Sequence, residues 1–157
     1  MKTTYTTIID CPPERLWRWI EEPEKQKQWM KGLLENVDTS DGPTRVGSTF
    51  RMTIQEGRRV ADYDGEITNY DPYRRLGVRF WGAALHGVEM AADYKLQNLG
   101  ARTRLDYIAT ADASEAGFFM RLMMPFFKLF GAVQVRRFMK TLKHLAEAEA
   151  EQTTAAV

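Results

Sequence analysis

The chain has 157 residues, enough for one domain with a real core. Hydrophobic residues make up 44% and charged residues 27%, with a net charge of +1. No global field therefore argues for nucleic acid or an anionic surface as a partner of the whole chain. Cys11 is the only cysteine, which excludes an internal disulfide and a multi-cysteine metal site and suits a reducing cytoplasm.

Lys2 to Ile9 is rich in Thr, Tyr and Ile and predicts a strand. Pro12-Pro13-Glu14 then opens a helix to about Ile20, because proline suits a first helical turn and Glu14 suits its positive end. Pro23 breaks that helix, and a second short one follows from about Glu24 to Trp29. From Leu33 the period changes to two, with strands over Leu33–Val37, around Phe50–Ile54, and from Arg59 to Tyr70. Leu76, Val78 and Phe80 are the inward set of the next strand, and Ala84 to Gln97 reads as one long strand. Thr103 to Thr110 is the last. Ser114 to Val157 carries one long helical pattern, with Phe127, Phe130, Gly131, Gln134, Phe138, Leu142 and Leu145 on one face. Pro125 should break or kink it.

Consecutive alternating strands with tight turns imply an antiparallel sheet, and the final helix is the one long apolar element able to cover it. The expected fold is α+β: about seven antiparallel strands, two short helices after strand 1, and a long C-terminal helix. Residues 1–150 form one domain, and 151–157 a frayed polar tail.

Several residue groups carry this order. They are Ile9-Asp10-Cys11-Pro12-Pro13-Glu14-Arg15-Leu16-Trp17, Trp29, Val46-Gly47-Ser48-Thr49-Phe50, Ile67 to Leu76, Gly100 with Thr103-Arg104-Leu105, and Leu142 to Glu147. Together they resemble the START-like (SRPBCC, birch-allergen-like helix-grip) superfamily, most nearly its polyketide cyclase/dehydratase-like branch, from about Lys2 to Glu147. The resemblance implies a curved sheet wrapped around the last helix, with a cavity between them that usually holds a hydrophobic small molecule. The motifs supply turns, caps and core tryptophans and no catalytic group, so fold alone does not settle function.

The two histidines, His86 and His144, are 58 positions apart and form no ligand cluster, so no metal or other cofactor is expected. The GxSxG, P-loop and GxGxxG signatures are missing. The informative residues are polar ones on the apolar phase of their elements, because a buried polar group needs a partner. Alternation places Tyr63, His86, Tyr94 and Tyr107 there, and Gln134 lies among Phe127, Phe130 and Phe138. These eight are the expected ligand contacts in a greasy pocket. The alternative for each polar one is a side chain satisfied by a neighbouring strand or a water. His86 is the weak candidate for acid/base chemistry. His144, Asp62, Asp64 and Glu66 read as surface. Arg79 and Trp81 would turn inward only if a bulge shifted the register.

The expected function is binding of a hydrophobic or aromatic small molecule or lipid, as a carrier or sensor. A polyketide cyclase/dehydratase-like enzyme using the same cavity, and a protein-interaction or chaperone-regulator module, are the alternatives. Met1 to Asp10 lacks a signal-peptide run, and Arg121, Pro125 and Lys128 interrupt the most apolar stretch, so no spanning helix is expected and the protein is placed in the cytoplasm. Phe118 to Met124, crowded beside basic residues, has three readings: core, lid or membrane contact.

Overall fold

The computed structural model describes residues 1–156, with the side chain of Phe127 left out. Strand β1 (Lys2–Ile9) is followed by α1 (Pro13–Glu21) and α2 (Pro23–Trp29). Six strands come next: β2 (Leu33–Asp38), β3 (Thr49–Glu56), β4 (Arg59–Asp71), β5 (Arg75–Trp81), β6 (Glu89–Asn98) and β7 (Thr103–Asp112). The chain ends in α3 (Phe118–Ala155). The strands form one antiparallel sheet in the order β1-β7-β6-β5-β4-β3-β2, so β1 closes against the last strand and β2 is the far edge. This is the helix-grip α+β fold, with the sheet curved around the long helix.

Local chemistry explains the elements. Pro13 and Pro23 both stand at the first helical turn, where a missing N–H costs nothing. In α1, Leu16, Trp17, Trp19 and Ile20 are all buried, and Trp29 at the end of α2 donates its indole N–H to the Trp19 carbonyl at 2.8 Å. The core continues through Ile9, Leu33, Phe50, Met52, Ile67, Leu76, Leu96 and Leu105 onto Met139, Leu142 and Ala146 of α3. The outer face of the sheet is charged and cross-paired: Arg51 to Asp64, Thr53 to Asp62, Arg79 to Glu66 and Arg75 to Asp93. The surface reading of Asp62, Asp64 and Glu66 matches this arrangement, and Arg79 and Trp81 stay outside, with the guanidinium over the Trp81 ring.

Two expected boundaries differ, and the kink expected at Pro125 is present. The strand drawn from Ala84 starts only at Glu89, because Ala83–Leu85 make a 3-10 turn and His86 and Gly87 both take positive φ, 49° and 85°. Two consecutive left-handed residues cannot continue a pleated strand. Pro125 lies within α3 and does not end it; the axis turns by 52° between Phe118–Phe126 and Lys128–Ala155. A proline removes one backbone donor and crowds the preceding turn, so a bend here has a local cause. Residues 151–155, expected to fray, are helical, and Val157 lies outside the described residues.

Candidate ligand-binding cavity

Between the concave face of the sheet and α3 lies a cavity of about 470 Å3. Its apolar wall comes from Phe50, Met52 and Ile54 of β3, Val78 and Phe80 of β5, and Met90 and Ala92 of β6. The opposite wall is α3, through Gly131, Gln134, Val135 and Phe138. Small residues make the room. Val78, Ala92 and Ala109 are aligned across three adjacent strands, so two of the three positions at that level of the floor are alanines. Gly65 is opposite Phe50, and a Cβ on it would run into the Phe50 ring. Only glycine lets that ring lie flat across the strand and form the wall. A shallower depression of about 660 Å3 lies on the outer face beside Asp64, Arg79, Trp81 and Glu89. It is lined by the charged Asp64, Arg79, Glu89 and Glu115, with Arg79 paired to Glu66 and Glu89, which makes it a poorer place for an apolar molecule.

Tyr94 and Tyr107 face each other in the cavity, their ring centroids 4.9 Å apart on directly paired residues. Burial pushes both hydroxyls up, Tyr107 to about 12 and Tyr94 well above its usual value, where the neighbouring Tyr107 adds to the effect. Both therefore stay protonated near neutral pH and act as hydrogen-bond donors, not as bases.

One end of the cavity is polar. Glu21, Gln26, Asn36, Asp38, Ser48 and Thr49 line it. Glu21 receives the Trp17 indole N–H at 2.8 Å and the Tyr70 hydroxyl, so both of its oxygens are engaged and the carboxylate is oriented. The Asn36 amide donates to Gln26 at 2.7 Å, and Ser48 accepts the Arg45 backbone N–H at 2.9 Å. Sequence reading missed this end. A bulge between Leu33 and Glu35 shifts the phase of β2, which brings Asn36 and Asp38 opposite the inward Met52 and Phe50 and leaves Val37 exposed. The detectable signal was the i, i+4 spacing of Trp17 and Glu21 on α1.

Of the eight expected contacts, Tyr94, Tyr107, Gln134 and Phe138 line the cavity. Tyr63 does not. It is buried, but its hydroxyl donates to Glu56 at 2.6 Å and its ring packs edge-on against Phe80, so a neighbouring strand satisfies it. His86 is also outside: in its left-handed turn the side chain is exposed and it lines neither hollow. Phe130 is 73% exposed. Eight residues at about 100° each leave it about 80° round the helix from Phe138, off the inward face. The Phe127 side chain lies outside the described residues. Among those residues, no group of three or more His, Cys, Asp or Glu could hold a metal ion.

An antiparallel sheet gripping a long helix around an apolar cavity defines the helix-grip class of protein. More narrowly, residues 1–147 match the family described as polyketide cyclase / dehydrase and lipid transport, and the chain belongs to that family. No curated protein matches it in sequence. Among solved structures, TTHA0849 from Thermus thermophilus is similar at a TM-score of 0.72 and 16% identity, covering 95% of this chain and 99% of that one. The Zhui aromatase/cyclase from a Streptomyces species is similar at 0.68 and 15% identity, covering 98% and 95%. CV1439 from Chromobacterium violaceum is similar at 0.72 and 16% identity, covering 93% and 96%. At these identities the likeness is one of fold.

Proposed function

We propose that this protein binds one hydrophobic or aromatic small molecule, or a lipid, whose apolar body fills the cavity and whose polar end meets the Glu21–Asn36–Ser48 end, and that it works as a carrier or sensor. The observation that supports this most directly is the cavity itself: about 470 Å3, walled by Phe50, Ile54, Val78, Phe80 and Phe138, with a few convergent polar groups. That combination suits a small-molecule site. Tyr94 and Tyr107 add two donors suited to a carbonyl or phenolic oxygen in mid-cavity.

A cyclase-like enzyme in the same cavity is the second reading, favoured by the tyrosine pair. Two protonated hydroxyls, that of buried Tyr94 and that of half-buried Tyr107, could hold the carbonyl oxygen of a folded chain as charge develops there. His86 is too far outside the cavity wall to serve as its base, and the oriented carboxylate Glu21 is the better-placed acidic group.

The test uses an apolar fluorophore, N-phenyl-1-naphthylamine. Saturable uptake at one molecule per chain is expected, and about 10-fold weaker uptake by Ala92→Phe, which fills the floor. Unsaturable uptake, or equal uptake by a folded Ala92→Phe protein, would remove the cavity-binding reading.

A further inference from the structure

The first half of α3 is apolar on both sides. Its inner side packs through Met120 and Met124 against Val88, Ala111 and Ala116. Met90 belongs both to that cluster and to the cavity wall, so this half of the helix is seated at one end of the cavity. Among the described residues, the outer side has no partner in the fold. Phe118, Leu122, Phe126, Leu129 and Val133, spaced by four, four, three and four, form one stripe, exposed by 84, 61, 62, 69 and 46%. Phe119 and Phe130, both 73% exposed, widen it. A helix apolar all round is normally enclosed, in a core or by lipid.

Charge decides what covers it. From Phe118 to Lys140 the chain has five basic residues, Arg121, Lys128, Arg136, Arg137 and Lys140, and no acidic one. The rest of the chain carries 17 basic against 21 acidic residues, a net of −4. All five cations are exposed, and among the described residues none forms an ion pair. On the helix, Arg136, Arg137 and Lys140 continue the outer face beyond Val133, and Arg121 and Lys128 flank it. A two-fold contact of this face with itself would gather ten cations with no carboxylate among them to neutralise them. Anionic headgroups neutralise them directly, while the aromatic and leucine side chains enter the acyl boundary. No single helix among the described residues is long and apolar enough to cross a membrane, and the two halves pass that test only as a pair bent by 52°.

We propose that the outer face of α3 from Phe118 to Lys140 docks in the plane of an anionic lipid surface, so that one helix carries the membrane contact outside and the cavity wall inside. The docking does not depend on what occupies the cavity, and its test does not read cavity binding.

The full-length chain is sedimented with phosphatidylcholine vesicles that either lack or contain a minority of phosphatidylglycerol. At low salt, association with the anionic vesicles should be about 10-fold stronger, and the difference should shrink at high salt. The exposed pair Phe118→Ser/Leu122→Ser should lose association while keeping the native melting temperature. Arg136→Ala/Lys140→Ala, on exposed positions outside the core, removes two of the five cations and should weaken anionic binding about 3-fold. Equal association with both vesicles, no association, or undiminished association by either folded double variant overturns the proposal. So does a concentration-dependent dimer in light scattering that Phe118→Ser/Leu122→Ser dissolves, because the cover would then be a second copy.

Discussion

Cys11 shows how completely a side chain's chemistry is set by its place. It is 1% exposed, and burial, with Glu147 nearby, pushes its thiol from 9.0 to about 11. A thiol acts as a nucleophile only as thiolate. Ellman's reagent at pH 8 should therefore find no reactive thiol in the native protein and one after denaturant; immediate labelling of the native chain would contradict the burial. Tyr107 makes a pH prediction of known sign. Its hydroxyl is raised from 10.0 to about 12, so the folded state disfavours the phenolate. The corresponding stability is intact below pH 10 and is lost as pH rises from 10 to about 12. Replacing Tyr107 with Phe should flatten the fall in melting temperature over that window, and an unchanged slope would show that Tyr107 does not titrate there. Tyr63, Tyr94 and Tyr107 all lie on the inward phase of their strands, yet only the last two reach the cavity. Their difference is the Glu56 carboxylate beside Tyr63, a cross-strand partner that alternation cannot reveal.

At the level of elements, β3 and β4 show a dependence between one glycine and one wall. Gly65→Ala would place a methyl group inside the Phe50 ring, and relieving that overlap should cost about 2 kcal/mol and alter fluorophore uptake. Urea unfolding measures the first effect; a cost near zero would mean that Phe50 swings away freely. In α3, Leu142 is fully buried against the sheet. Leu142→Ala should cost about 3 kcal/mol, whereas Leu129→Ala, on the exposed stripe, should change stability by less than about 0.5 kcal/mol. Equal costs would mean that the outer face of the helix is covered in the isolated protein. The length and inward phase of α3 from Gln134 to Leu145 were legible in the sequence. Its phase before Gln134 was not, because Phe130 satisfies the apolar pattern equally well from outside.

For the whole molecule, β1 pairs with β7 across the sequence, and α1, α2 and α3 close over the concave face. The cavity follows from that curvature together with the small residues Ala92 and Ala109 at its floor and Gly65 beside the Phe50 ring of its wall. By itself the sequence determined the element order, the antiparallel sheet, the core tryptophans Trp17 and Trp29, and the helix that the sheet grips. Those follow from period, turn residues and proline placement, all local signals. Only the tertiary structure decided the membership of the cavity. It admitted Tyr94, Tyr107, Gln134 and Phe138, satisfied Tyr63 elsewhere, and turned His86 out through two left-handed residues. It also brought in Glu21, Asn36 and Ser48 from separate elements. The physical reason is that periodicity assigns a side chain to a face, whereas bulges, helix bends and cross-strand partners decide whether that face meets open space, and these depend on residues distant in the chain.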